Sequence, residues 1–178
     1  AQFRLPEAGP LSARWVQLQP QSVTAWKYRA QILERLHPNS DETVAAWRQW
    51  WRLAPQDRTA RFGLVRLLLQ RRERIEEAAA LLEEHSQQFP EDEEGRLLLA
   101  ECRFLQGSSE AALELLHAVI AAGTQESRAY WLRGRWYLQV GDWSRAISDL
   151  RRAVELDPSF PDAWYNLFQA LQQAGAPA

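Results

Sequence analysis

The chain has 178 residues, a length that suits one ordinary domain or one short repeat array. Its formal net charge of -2 argues against a nucleic-acid-binding or anionic-membrane surface, since either needs a basic excess. Its single cysteine, Cys102, excludes an intramolecular disulfide and any site built from several thiolates.

Prolines divide the chain at regular intervals. Pro20, Pro55 and Pro90 are 35 residues apart, and Pro158 follows 68 residues later, with Thr124 where an intermediate proline would fall. Because proline cannot donate the hydrogen bond that a helix interior needs, each proline is interpreted as the end of a helical run. The spacing predicts repeated units of about 34 residues.

The N-terminal half divides into three segments on this period. Residues 1–22 are predicted to hold the end of a preceding helix pair, over Leu11 to Leu18, and a connector. Residues 23–57 are predicted to form the first repeat, which is divergent and has one extra residue near Pro38. Residues 58–92 are predicted to form the second repeat.

The C-terminal half is predicted to contain two further repeats and a last helix. The repeats cover residues 93–126 and 127–160, and residues 161–178 are predicted to form a terminal capping helix. Pro161 can begin that helix, because the amide that proline lacks has no partner in a first helical turn.

Residues 127–160 give the clearest unit. Two helical stretches flank Gly141 and Asp142. Glycine suits the left-handed position that closes a helix, and aspartate can cap the next helix. Spacings of four and three place one set of side chains on a single face of each helix. They are Tyr130, Gly134 and Tyr137 in the first helix, and Ala146, Leu150 and Ala153 in the second.

This unit resembles the tetratricopeptide repeat, and the other units fit the same frame less closely. Of the family's eight signature positions only position 7 departs, because Arg133 stands where leucine is usual. The resemblance implies an all-α fold, a right-handed α-solenoid of stacked antiparallel helix pairs. We expect about four repeats plus a terminal helix. Gly134 and Ala146 are expected where the two helices cross closely.

The resemblance also implies a protein–protein interaction module that binds a partner protein or peptide in a concave groove and scaffolds an assembly. In the family, the first helix of each pair lines that groove. Carrying the groove positions onto this chain gives a candidate site made of Lys27, Gln31, Arg35, Leu67, Arg71, Glu101, Phe104, Arg128, Trp131, Arg135, Tyr165 and Gln169. Its leucine-rich middle and its arginine-rich, aromatic end predict a ligand with apolar anchors and an acidic end.

Trp131 is the sharpest of these candidates. Trp131 and Tyr130 are adjacent, so their side chains point to different faces, and a Tyr130 in the core would turn Trp131 toward the groove. Arg128 and Arg135 flank Trp131 at spacings of three and four, and arginine and tryptophan are enriched in binding hot spots. The alternative is a tryptophan packed on the adjacent helix.

No catalytic, metal or cofactor site is predicted, and the chain is not expected to be an enzyme. His37 lies in a predicted turn, and His85 and His117 lie in separate helices, so three ligands do not converge at zinc-site spacing. A Cys–His nucleophile using Cys102 with His85 or His117 stays open, although no third group to orient it is evident. The acidic run 91–94 precedes a helix, where the helix dipole favours it.

Three hypotheses about function stay open. The first is a scaffolding module, for example in a bacterial secretion, envelope or complex-assembly pathway. The second is a non-catalytic segment of a larger enzyme or of an envelope or secretion protein, in keeping with a chain that starts at Ala1 and contains no methionine. The third is a self-associating array, a homo-oligomer. No membrane-length apolar stretch or signal peptide is visible, so we expect a soluble cytoplasmic or periplasmic protein.

Overall fold

The described part of the chain is all-α, as the sequence predicts. A computed structural model describes residues 5–175, which form ten α-helices and no strand. The helices are α1 (Leu5–Leu18), α2 (Val23–Leu36), α3 (Asp41–Leu53), α4 (Arg58–Arg71), α5 (Ile75–Gln88), α6 (Glu93–Leu105), α7 (Ser109–Ala121), α8 (Ser127–Gln139), α9 (Trp143–Leu156) and α10 (Pro161–Gly175). None of these helices is long and apolar enough to cross a bilayer.

The prolines end helices where the sequence predicts. Helices α1, α3, α5 and α9 each end two residues before Pro20, Pro55, Pro90 or Pro158. Thr124 takes a different part after α7: its hydroxyl donates to the Glu93 carboxylate and accepts from the Glu126 amide at 2.9 Å. A side-chain hydrogen-bonding residue therefore replaces the proline between the third and fourth predicted repeats.

The turn predicted before α9 is confirmed. Gly141 has φ 78°, in the left-handed region that favours glycine. The Asp142 carboxylate accepts a hydrogen bond from the Arg145 amide at 3.0 Å and caps α9. Polar side chains cap four further helices in the same way, namely Ser22, Ser40, Asp57 and Asp92.

The chain forms two compact units that divide after Leu82, within α5. In unit 1, α1 packs on α2, α2 on α3 and α3 on α4. The Trp47 and Trp50 rings stack in its core with centroids 4.9 Å apart. Gly63 of α4 lies against Trp47 so closely that a Cβ at Gly63 would overlap the indole ring.

In unit 2, consecutive helices from α6 to α10 pack on one another, and α8 also contacts α6 and α10. The first helices of successive predicted pairs therefore lie side by side. Gly134 of α8 is at the predicted close crossing, because a Cβ there would be 2.8 Å from Leu150 Cγ of α9. Leu150 and Ala146 of α9 are fully buried in this core.

The departure at position 7 has a structural explanation. Arg133 forms two hydrogen bonds across to α9, Nε to Asp149 Oδ2 at 2.7 Å and Nη2 to Oδ1 at 2.8 Å. Asp149 is buried, and its carboxylate raises the pKa of the Arg133 guanidinium. Arg29, at the same position of the first repeat, pairs with Glu42 of α3. It also donates to the Gly9 carbonyl at 2.7 Å.

Candidate functional site

Seven predicted groove residues lie on the three neighbouring first helices of unit 2. We call this surface the α6–α8–α10 face, defined by Glu101, Phe104, Arg128, Trp131, Arg135, Tyr165 and Gln169. The contacts of α8 with α6 and with α10 bring these helices together.

Trp131 packs on the adjacent helix, the alternative that the sequence left open. Its side chain is 8% exposed. Its Nε1 donates to Asn166 Oδ1 of α10 at 2.8 Å, and its ring centroid is 5.2 Å from that of Phe160. Arg135 also lies over the indole, with its guanidinium carbon 4.9 Å from the ring centroid. Trp131 therefore forms the floor of this face, and Arg135 lies over it.

A chain of polar contacts continues from Trp131 along α10. Asn166 Nδ2 donates to Gln169 Oε1 at 3.2 Å, and Gln169 Nε2 donates to Tyr165 Oη at 3.1 Å. Tyr165 is 61% exposed, so the chain ends at the protein surface. We call these residues, with Arg135, the Trp131–Tyr165 network. Asn166, which follows Tyr165 on α10, joins the buried indole to the surface part of this network.

The other members of the face are less available to a ligand. Arg128 forms an ion pair with Glu101 of α6, so these two predicted groove charges neutralise each other. Phe104 is partly buried and packs against the core of unit 2. Arg135, by contrast, lies over the Trp131 ring.

The predicted groove residues of unit 1 differ in their exposure to solvent. Lys27 and Arg35 are exposed, and Gln31 is half-buried. The Lys27 Nζ lies 5.7 Å from the Trp50 ring centroid. Leu67 is 3% exposed, and so offers no accessible anchor.

Arg71, the remaining predicted groove residue of unit 1, binds other residues of the chain. It donates to the Asn39 carbonyl at 2.9 Å and to Asp41 at 2.6 Å, and it also binds Glu73. Glu73 and Asp41 raise the pKa of its guanidinium. Arg71 thus joins the end of α4 to the start of α3.

The nucleophile that the sequence left open has no support from the thiol's environment. Cys102 is fully buried in α6, and burial raises the pKa of its thiol to about 12. His85 is also buried, and its Nε2 lies 2.9 Å from Asp92 Oδ2. Within residues 5–175 there is no group of three His, Cys, Asp or Glu side chains that could hold a metal ion.

Cys102 is expected to resist thiol reagents in the folded protein. With a pKa of about 12, its thiolate fraction at pH 8 is on the order of 10⁻⁴, and the thiolate is the reactive form. We expect negligible reaction with a disulfide reagent at pH 8 and one equivalent after addition of guanidinium. Release of the chromophore measures both. Rapid modification of the native protein would contradict the burial of this thiol.

Comparison with protein families matches the helical repeats. A family profile described as tetratricopeptide repeat matches residues 71–135, and a second, described as TPR repeat, matches residues 134–175. Together they span more than half of the chain. The chain belongs to the tetratricopeptide repeat (TPR) family.

Two curated relatives share part of this TPR chain. DnaJ homolog subfamily C member 3 from Gallus gallus is 30% identical over 121 residues, which cover 68% of this chain and 24% of the relative. A TPR repeat-containing protein from Pseudomonas aeruginosa is 36% identical over 63 residues, which cover 35% of this chain and 60% of the relative. The TPR chain thus matches only about a quarter of the first relative and three-fifths of the second.

Solved TPR structures share the fold at low sequence identity. The Cut9–Hcn1 hetero-tetramer of the APC/C matches with a TM-score of 0.78 and 16% identity, over 97% of this chain and 34% of that chain. YrrB, described as a TPR protein with an unusual peptide-binding site, matches with a TM-score of 0.59 and 17% identity. That match covers 91% of this chain and 88% of YrrB. The TPR fold is in general a scaffold for protein–protein interaction.

Proposed function

We propose that this chain binds a partner protein or peptide on the α6–α8–α10 face, and that the partner presents a carboxylate to Arg135. The observation that carries the proposal is the Trp131–Tyr165 network, which reaches from a buried indole to an exposed phenol on two neighbouring helices. Aromatic and arginine side chains on a rigid support are the residue types that dominate binding energy in protein interfaces.

The packing of Trp131 supports a preorganised site. Its hydrogen bond to Asn166 and its contact with Phe160 fix the indole before any ligand arrives. Arg135 lies on that fixed ring, so its guanidinium loses little further freedom when a carboxylate binds. A planar guanidinium also binds carboxylates with two parallel hydrogen bonds.

The polar end of the network favours a peptide backbone or an amide side chain. Gln169 and the exposed Tyr165 hydroxyl combine donor and acceptor groups. The apolar anchors expected from the sequence have less support, because Leu67 is buried and Phe104 belongs partly to the core. The ligand proposed here is therefore acidic and polar, with contact to the Tyr165 ring.

The test uses a library of immobilised twelve-residue peptides and the whole chain. We expect wild-type protein to select acidic peptides, and the variant Arg135→Gln with Tyr165→Ala to bind the selected peptides at least roughly tenfold more weakly. Tyr165 is exposed and Arg135 half-buried, so helicity measured by circular dichroism should not change. Trp131 is unsuitable for this test, because truncating a buried tryptophan would destabilise the fold.

Arg52→Gln is the matched control, since Arg52 is an exposed arginine of α3 outside the α6–α8–α10 face. It should leave peptide affinity unchanged. If the Arg135/Tyr165 double variant binds as wild type does, or if the selected peptides carry no acidic preference, the proposed site is wrong.

A further inference from the structure

The hydrogen bonds of the Trp131–Tyr165 network run in one fixed direction. An indole nitrogen can only donate, so the atom of Asn166 that faces Trp131 must be its carbonyl oxygen. The Asn166 amide nitrogen then donates to Gln169 Oε1 at 3.2 Å, and Gln169 Nε2 donates to Tyr165 Oη at 3.1 Å. Turning over either amide would place two donors against each other. The buried indole therefore sets the orientation of both amides.

This direction also determines where the hydroxyl hydrogen of Tyr165 points. Tyr165 Oη accepts from Gln169 Nε2, so its own hydrogen cannot point at that nitrogen. Within residues 5–175, Gln169 is the only residue that binds this hydroxyl, and Tyr165 is 61% exposed. The hydroxyl consequently presents a hydrogen-bond donor to a molecule that binds at this end of the α6–α8–α10 face.

A carboxylate on the same side of α10 limits the group that Tyr165 can bind. Asp162 is exposed and lies three residues before Tyr165, and residues at that spacing are neighbours on a helix surface. Asp162 would repel a carboxylate placed beside Tyr165, whereas it would not repel a neutral carbonyl group. The group of the ligand that binds Tyr165 is therefore different from the carboxylate that binds Arg135.

We infer that Tyr165 is a specificity-determining residue that donates a hydrogen bond to a neutral carbonyl oxygen of the bound peptide, with Asn166 and Gln169 as its positioning residues. This inference rests on the proposed peptide site and defines its ligand further. One carboxylate of the peptide contacts Arg135, and a backbone or side-chain amide carbonyl contacts Tyr165. A group that can only donate is rejected at Tyr165, because two donors would meet there.

The test measures how the tightest peptide selected from the twelve-residue library binds to variants of the whole chain, by fluorescence anisotropy. Tyr165→Phe removes the donor and keeps the ring, and should weaken binding roughly threefold to tenfold, as the loss of one hydrogen bond usually does. Gln169→Glu reverses the end of the network, since a carboxylate accepts from both Asn166 and the Tyr165 hydroxyl. In the Gln169→Glu background, Tyr165→Phe should therefore leave the affinity unchanged.

Gln173→Glu is the matched control for the charge that Gln169→Glu adds. Gln173 is exposed and lies one turn further along the same side of α10, two turns from Tyr165, so the new carboxylate does not reach the hydroxyl. In this background Tyr165→Phe should weaken binding by the same factor as in the wild-type chain. Circular dichroism verifies that each variant folds.

The outcomes separate this inference from the proposed site. If Arg135→Gln weakens binding and Tyr165→Phe does not, the site stands and the inference is wrong. The inference is also wrong if Tyr165→Phe weakens binding equally in the wild-type and the Gln169→Glu backgrounds. An Arg135→Gln variant that binds as wild type does, or a library that yields no peptide, would overturn the proposed site and, with it, the inference.

Discussion

Replacing Asp149 by alanine is expected to lower the free energy of unfolding by about 3 kcal/mol, near the lower end of the range for breaking a buried ion pair. Asp149 is 6% exposed and accepts hydrogen bonds of 2.7 and 2.8 Å from Nε and Nη2 along one edge of the Arg133 guanidinium. Without the carboxylate, a largely buried cation would have no compensating charge. Chemical denaturation followed by circular dichroism measures the change.

Two comparisons separate this effect from a general effect of losing a charge. Glu155→Ala removes the partner of Arg152 in an exposed pair at 3.4 Å, and should change stability little. Arg133→Leu combined with Asp149→Leu should recover most of the loss, because well-packed apolar residues can replace a buried pair. If Asp149→Ala were no more destabilising than Glu155→Ala, the buried pair would not hold α8 to α9.

Replacing Gly63 by alanine is expected to destabilise the chain by about 1–3 kcal/mol, the usual range for an overpacked core. In an ordinary helix the same change would add about 1 kcal/mol of stability, because alanine has the higher helix propensity. Here the new methyl group would overlap the ring of Trp47. Trp47 is 4% exposed and stacked on Trp50, so its ring has no open space to enter.

Gly175→Ala is the matched control for Gly63→Ala. A Cβ at Gly175 would have no atom within 4 Å, so this change should leave the denaturation midpoint the same or slightly higher. A Gly63→Ala variant as stable as wild type would mean that Trp47 can move aside.

The sequence was sufficient for the fold because the features that define it are local. Helix ends follow from the prolines and from Gly141 and Asp142, since a missing amide or a left-handed residue acts on its own segment. The family pattern added the pairing of helices, and Gly134 at the crossing confirmed it.

The site was harder to predict because side-chain contacts between separate helices decide it. Helical spacing placed Trp131 and Arg135 on one face, but could not say that Asn166 would bind the indole and bury it. Arg71 occupies a groove position of the family, yet Asp41 and Asn39 of an earlier segment hold it. Spacing within one helix cannot predict such partners, because they lie about 30 residues away along the chain.

The capping role expected of residues 161–178 stays a prediction. Gln172 and Gln173 are exposed, as a solvent-facing end requires. Trp164, Phe168 and Leu171 on the same helix are exposed as well, so α10 is not a polar cap. The sequence pattern counted Trp164 and Leu171 as repeat positions, and repeat positions alone do not reveal whether a second helix covers them.

The arginines at the seventh repeat position have a consequence for folding. Successive helix hairpins of similar length can mispair while a repeat chain folds. If the contacts between paired helices were purely aliphatic, many of the incorrect pairings would be tolerated. Arg133 meets its carboxylate only when α8 pairs with α9, and Arg29 meets Glu42 only when α2 pairs with α3. A misassembled hairpin would trap an uncompensated cation, so these two ion pairs select against pairing of a helix with the wrong neighbour.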